Sequence, residues 1–62
     1  MIIKDNNGNE YFIEDINKFR HHLYYFHTSN GKADFSVHKE NGYYFTVTTK
    51  LLEQVNNFIK KK

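Results

Sequence analysis

The chain has 62 residues, a formal charge of +2, and no cysteine, proline or tryptophan. That length allows one small domain over residues 1–62, burying only about 60% of the surface its unfolded form exposes, with a core worth no more than about 3–5 kcal/mol. Without cysteine, disulfides and thiolate metal sites are excluded. Charge appears within Met1-Ile2-Ile3-Lys4-Asp5, unlike a signal peptide, and no apolar run approaches the ~20 residues of a membrane span. A soluble, cytoplasmic protein that does not enter a membrane is expected.

The charge is unevenly spread. Lys4 against Asp5, Glu10, Glu14 and Asp15 leaves the first 15 residues at −3 and the remainder at +5, three of it from Lys60-Lys61-Lys62. Apart from that basic tail over 60–62 the body is nearly neutral, so it projects no strong phosphate-seeking field. The abundance of Asn, Lys, Ile and Tyr has the look of an AT-rich genome, such as that of a low-GC bacterium or its phages.

Along the chain, Ile2-Ile3-Lys4 and Glu10-Tyr11-Phe12-Ile13 flank Asp5-Asn6-Asn7-Gly8-Asn9 and predict a first hairpin, whose register leaves Phe12 on either face. Ile16, Phe19, Leu23 and Phe26 follow at spacings of three, four and three. At about 100° per residue they fall within an arc of ~80°, which predicts a helix with that stripe turned inward. Asp15 stands where an N-cap belongs, and Ser29-Asn30-Gly31 supplies the stop, with Asn30 or Gly31 able to adopt the left-handed conformation.

Next come two alternating runs, Ala33 to Lys39 and Tyr43 to Thr48. A two-residue Asn41-Gly42 turn would pair Val37 with Thr46 and His38 with Phe45, mixing apolar and polar faces. A three-residue Glu40-Asn41-Gly42 loop pairs Phe35 with Val47 and Val37 with Phe45. Since a one-residue slip inverts every side chain, the three-residue loop is the expected one. The chain closes on Leu51, Leu52, Val55, Phe58 and Ile59, a helical stripe capped by Thr48 or Thr49, with lysines at the end its dipole favours. The expected fold is α+β, a four-stranded, mostly antiparallel sheet in ββα-ββα order with two helices packed on one face.

Arg20-His21-His22-Leu23-Tyr24-Tyr25-Phe26-His27 is the most distinctive stretch. Helical metal pairs want ligands at i and i+3 or i+4, but Tyr25 and Phe26 stand four residues after His21 and His22. On a continuous helix no two of these histidines share an ion, so neither a metal site nor a cofactor is expected. Phe19, Phe26, Phe35, Phe45 and Phe58 fall on predicted inward faces. Tyr25 faces outward beside Lys18 and His21, and Tyr44 faces outward across from His38.

No cysteine nucleophile, Gly-x-Ser-x-Gly or phosphate-cradling glycine loop is present, and a chain this short has little material for a water-excluding pocket. Catalysis is not expected. Binding is, and Tyr25, His21, Tyr44 and His38 are the candidate contacts with a protein partner or a second copy of the chain, tyrosines serving as anchors. A small accessory product of a phage or mobile element, inhibiting or regulating a host protein such as a nucleic-acid enzyme or defence nuclease, suits the size and composition. The alternative is a nucleic-acid binder using Lys60, Lys61 and Lys62 with exposed tyrosines for stacking. Against it, Arg20 is the only arginine, where arginine is the usual reader of guanine and phosphate.

Overall fold

The computed structural model describes residues 1–60. Its strands are β1 (Ile2–Lys4), β2 (Glu10–Phe12), β3 (Thr28–Ser29), β4 (Lys32–Ala33), β5 (Val37–Glu40) and β6 (Tyr43–Thr46); α1 (Ile16–Phe26) follows β2 and α2 (Thr49–Lys60) follows β6. The protein is α+β. Its strands form three two-stranded antiparallel sheets, β1-β2, β3-β4 and β5-β6, in place of the single four-stranded sheet expected.

Each hairpin is set by its turn. In the first, Asp5 is buried and its Oδ1 accepts from the Asn7 and Asn9 amides at 3.0 and 2.8 Å, an aspartate folding its own loop. Ile3 is thereby opposed to Tyr11 on the inner face, and Ile2 to Phe12 on the exposed one. Phe12 therefore points outward. The segment expected only to stop the first helix makes a hairpin of its own, β3-β4, because Asn30 (φ 54°) and Gly31 (φ 78°) both take left-handed conformations. Two such residues in succession fit a two-residue hairpin turn.

The same chemistry corrects the register of the third hairpin. Asn41 (φ 49°) and Gly42 (φ 83°) make a two-residue turn, pairing Val37 with Thr46 and His38 with Phe45. His38 is the inward residue, 4% exposed, and Val37 lies outside. The inner face of this register is not mixed once an imidazole counts as a core residue. Beyond β5, the Phe35 amide donates to the Val47 carbonyl and the Val47 amide donates to Ser36. Two residues thus oppose one, as in a bulge, and Phe35 is carried outward at φ 62°.

Both helices begin on a side-chain cap. Asp15 Oδ1 accepts from the Lys18 amide at 3.0 Å, and Thr48 Oγ1 from the Leu51 amide at 3.1 Å, satisfying amides that have no partner within the helix. Ile16, Phe19 and Leu23 of α1 meet Leu51, Leu52 and Val55 of α2 in one core with Ile3, Ile13, Phe45 and Val47. Where the helices cross, Asn56 Oδ1 accepts from Arg20 Nε at 2.6 Å, Asn56 Nδ2 donates to the Tyr24 hydroxyl at 2.8 Å, and the Arg20 guanidinium lies 4.6 Å from the Tyr24 ring centre.

Asn6 of the first hairpin is bonded to the third through its backbone and its side chain. The Asn6 amide nitrogen of the backbone donates to Tyr44 O at 2.8 Å, its Nδ2 donates to Thr46 Oγ1 at 3.0 Å, and its Oδ1 accepts from the Thr46 backbone amide at 3.0 Å. Asparagine here occupies the edge of β6 that a neighbouring strand would otherwise fill. No helix among the described residues is long and apolar enough to cross a membrane.

Candidate functional site: a histidine cluster with an aromatic margin

The site begins where α1 ends. His27 is its C-cap, at φ −128° and ψ 20°, with its amide donating to Leu23 O. Thr28 Oγ1 donates to Tyr24 O at 2.6 Å, so side chain and cap together satisfy carbonyls the helix leaves unpaired. Because His27 leaves the helical path, the helical spacing argument against His22 and His27 no longer holds. Their ring centres lie 5.4 Å apart.

His38 enters from β5, with its ring 4.3 Å from His22 and 5.2 Å from His27. It packs edge-on to Phe19 at 5.6 Å and stacks on Phe45 at 6.4 Å. One ring nitrogen from each of His22, His27 and His38 lies within 4.8 Å of the other two. The three imidazoles thus converge, His27 from beyond the helical path and His38 from the hairpin.

Two hydrogen-bond chains orient the rings. Asp34 Oδ1 accepts from both the amide and the hydroxyl of Ser36, at 2.9 and 2.5 Å. With its own proton committed to Asp34, the Ser36 oxygen accepts the Nδ1–H of His27 at 2.5 Å. On the other side, Glu40 accepts the Tyr11 hydroxyl proton on Oε2 at 2.6 Å and the His38 Nε2–H on Oε1 at 3.0 Å, while Asn41 Nδ2 donates to the Tyr11 oxygen at 2.9 Å. A carboxylate only accepts, so Glu40 takes the Nε2–H of His38 and Ser36 the Nδ1–H of His27. In the neutral rings the lone pairs then lie at His27 Nε2 and His38 Nδ1.

Burial first, then the neighbouring imidazoles, holds His22 below the ordinary histidine value of 6.5, and burial followed by His38 does the same for His27. Both are neutral at neutral pH. The bonds from Ser36 hold the Asp34 carboxyl below its usual range, and burial, then the bond to Glu40, pushes the Tyr11 phenol up. A groove lined in part by Tyr11, Lys18, His22, Glu40 and Tyr43 reaches the edge of the cluster. Imidazoles gathered this way can, in the neutral form, accept a proton or donate lone pairs to a cation.

An aromatic margin surrounds them. The Phe26 ring lies 4.7 Å from His22 and 4.8 Å from Tyr25, and Tyr25 lies 5.8 Å from His21. Phe26, expected in the core, is 62% exposed, because its helix stops there and His38 occupies the inner space beside Phe19. Phe35, also expected inward, is 62% exposed at its bulge. Phe26 adjoins His27 in the chain, and Phe35 and Val37 flank Ser36, the hydrogen-bond partner of His27.

Of the residues singled out in the sequence, Tyr25 (71% exposed) and His21 stand on the surface together. Tyr44 is exposed on the outer face of β6, with Lys39 Nζ 5.7 Å from its ring centre. His38 is buried on the opposite face, which corrects its placement as an outward contact. Lys60 is the exposed last residue of α2; Lys61 and Lys62 lie outside the described residues. His22, His27, Ser36, Asp34 and Glu40 are not among those contact residues, although sequence signals for them exist. Asn30-Gly31 marks a hairpin turn that ends the helix before His27, Asp34-Phe35-Ser36 fits an aspartate-led turn, and His38 and Glu40 are two apart on one strand, hence on one face.

Fold and site together define a small α+β protein carrying an imidazole cluster beside exposed aromatics. Compared with protein-family models, curated proteins and solved structures, the chain matches none.

Proposed function

We propose that this chain is a non-enzymatic module that binds a protein partner through the aromatic surface around His27, with Tyr25, Phe26, Phe35 and Val37 as the contact side chains and His21 at their border. The observation that carries this reading is Phe35. A bulky L-residue in the left-handed region costs about 1–2 kcal/mol, and here that conformation at φ 62° presents the ring to solvent. Strain of this kind persists where the surroundings enforce it, and it gathers at sites of function. The Asp34–Ser36 hydrogen bonds are the enforcing contacts. Exposed aromatics with adaptable polar neighbours supply the anchors that dominate protein interfaces.

Tyr44, on the outer face of the third hairpin, is a second anchor. A second copy of the chain would cover the same surface in a homodimer. Size and composition fit an accessory product of a phage or mobile element that inhibits or regulates a host protein, such as a nucleic-acid enzyme or defence nuclease, by covering it. Nucleic-acid binding through Lys60, Lys61 and Lys62 has less behind it, since the single arginine is committed to Asn56 and Tyr24.

A tagged chain is the test, used to capture partners from lysate of the source cell at low and high salt. The expected result is a protein retained at high salt and lost with Phe35→Ala and with Tyr25→Ala, both variants keeping the parental circular dichroism. Capture unaffected by both substitutions, or binding to oligonucleotides that fades steeply with salt, would overturn the reading. Light scattering at several concentrations decides between a foreign partner and a second copy.

A further inference from the structure

We infer that His22, His27 and His38 form a site for one divalent transition cation of the Zn²⁺ class, held by three imidazole nitrogens with a fourth position open. The site goes beyond partner binding and needs no partner to exist.

Three observations carry it. First, the three side chains come from different settings, the body of α1, its C-cap and strand β5, yet one nitrogen of each falls within 4.8 Å of the others. Nitrogens sharing a tetrahedral Zn²⁺ at about 2.0–2.1 Å stand roughly 3.4 Å apart, so the rings must draw together by at most about 1.4 Å. His22 and His27 are only half-buried and have room to turn. His38, fixed between Phe19 and Phe45, is the stationary member.

Second, two of the three rings, His38 and His27, have a ring nitrogen hydrogen-bonded in the manner of metal-ligating histidines. A ligating imidazole nearly always gives its other N–H to a carboxylate, a carbonyl or a water, which fixes tautomer and ring angle. His38 Nε2–H goes to Glu40, and His27 Nδ1–H goes to Ser36, which is itself bonded to Asp34. Lone pairs are left at His38 Nδ1 and His27 Nε2.

Third, the donor chemistry selects the ion. Imidazole suits zinc, copper, nickel and iron, whereas magnesium and calcium prefer oxygen. Among zinc sites, three protein ligands leave a fourth position for a water. The groove that reaches His22 and Glu40 gives solvent a way to the edge of the cluster.

The test uses the full chain, stripped with chelator and titrated with Zn²⁺ by calorimetry and with Co²⁺ by visible absorption. The expected result is one ion per chain, the intense absorption of tetrahedral Co²⁺, and a thermal midpoint that rises with Zn²⁺ and returns on adding chelator. His22→Gln and His27→Gln, each checked for fold by circular dichroism, should weaken binding at least 100-fold. Ser36→Ala and Asp34→Asn, which disturb only the orienting bonds, should weaken it by about 10- to 100-fold. Because His38 is buried and its variants can unfold, its role is read in the intact chain by NMR, with the ring signals of all three histidines moving together at one equivalent. Affinity no better than millimolar, binding that survives His27→Gln, or an NMR response confined to His21 would each overturn the site. None of these readouts involves a protein partner, so loss of the metal site and loss of partner binding are separately recognisable.

Discussion

The two helices start alike and end differently. Each opens on a capping side chain that accepts the amide three residues on, and each sends an apolar stripe into the same core. Along α2 the stripe continues through Phe58 and Ile59, which stay partly buried against the core. Along α1 burial stops at Leu23, and the next stripe position, Phe26, stands in solvent. Beside Phe19 the buried ring is instead His38, brought by another element. A helical stripe therefore predicts burial only as far as the neighbouring elements leave room beneath it. In α1 the exception coincides with the site.

The largest effect that tests this contrast is Leu23→Ala against Phe26→Ala. Leu23 is fully buried, and removing such a side chain costs about 2–5 kcal/mol, comparable with the whole stability of a domain this small. Circular dichroism should find Leu23→Ala mostly unfolded at 25 °C. Phe26→Ala, one stripe position later, should shift the urea midpoint by less than about 0.5 kcal/mol while lowering partner capture. Equal damage from both would mean that Phe26 is core after all.

Next in size are the caps. Asp15→Ala and Thr48→Ala should each cost about 1 kcal/mol, and a urea titration showing a large loss for only one would break the likeness of the two helix starts. Phe35→Gly sharpens the claim of strain. Relief of the left-handed backbone, set against glycine's greater freedom when unfolded, should leave stability unchanged or raised by up to about 1 kcal/mol, with partner capture reduced. A clear loss of stability would show that the exposed ring supports the fold.

The smallest effect is in pH. In the metal-free chain, with chelator present, His22 and His27 titrate below their unfolded value of 6.5. Between those values the unfolded state binds more protons, so stability falls as pH drops. The loss begins below about pH 6.5 and is complete once pH lies under the lowered values. The urea midpoint at pH 7.5 should exceed that at pH 5, and His22→Gln should narrow the gap. A midpoint that rises on acidification would contradict the assignment of both rings as neutral.

Local patterns carry most of the fold. Asp15, the α1 stripe up to Leu23 and the whole of α2 are legible because propensity, capping and burial agree there. The third hairpin is legible as a hairpin, but its register depends on whether His38 or Val37 is the core residue, and hydrophobicity alone chooses Val37. Hydrogen bonding decides otherwise, since Glu40 satisfies the inward imidazole. The convergence of His22, His27 and His38 depends on where α1 stops and how β5 is registered, two non-local facts that spacing within one helix does not contain. Tyr25 and His21 are legible as surface because they lie opposite the stripe, where nothing packs.

Asn6 has a consequence for how these molecules behave in company. An unpaired strand border is a template on which another chain can zip, and β6 would offer one beside its exposed Tyr44. With one asparagine lying along it, that border is closed, and a crowded solution of the protein has one less route into fibrous aggregates. Asn6→Ala should leave the monomer folded yet shorten the time it stays clear at high concentration.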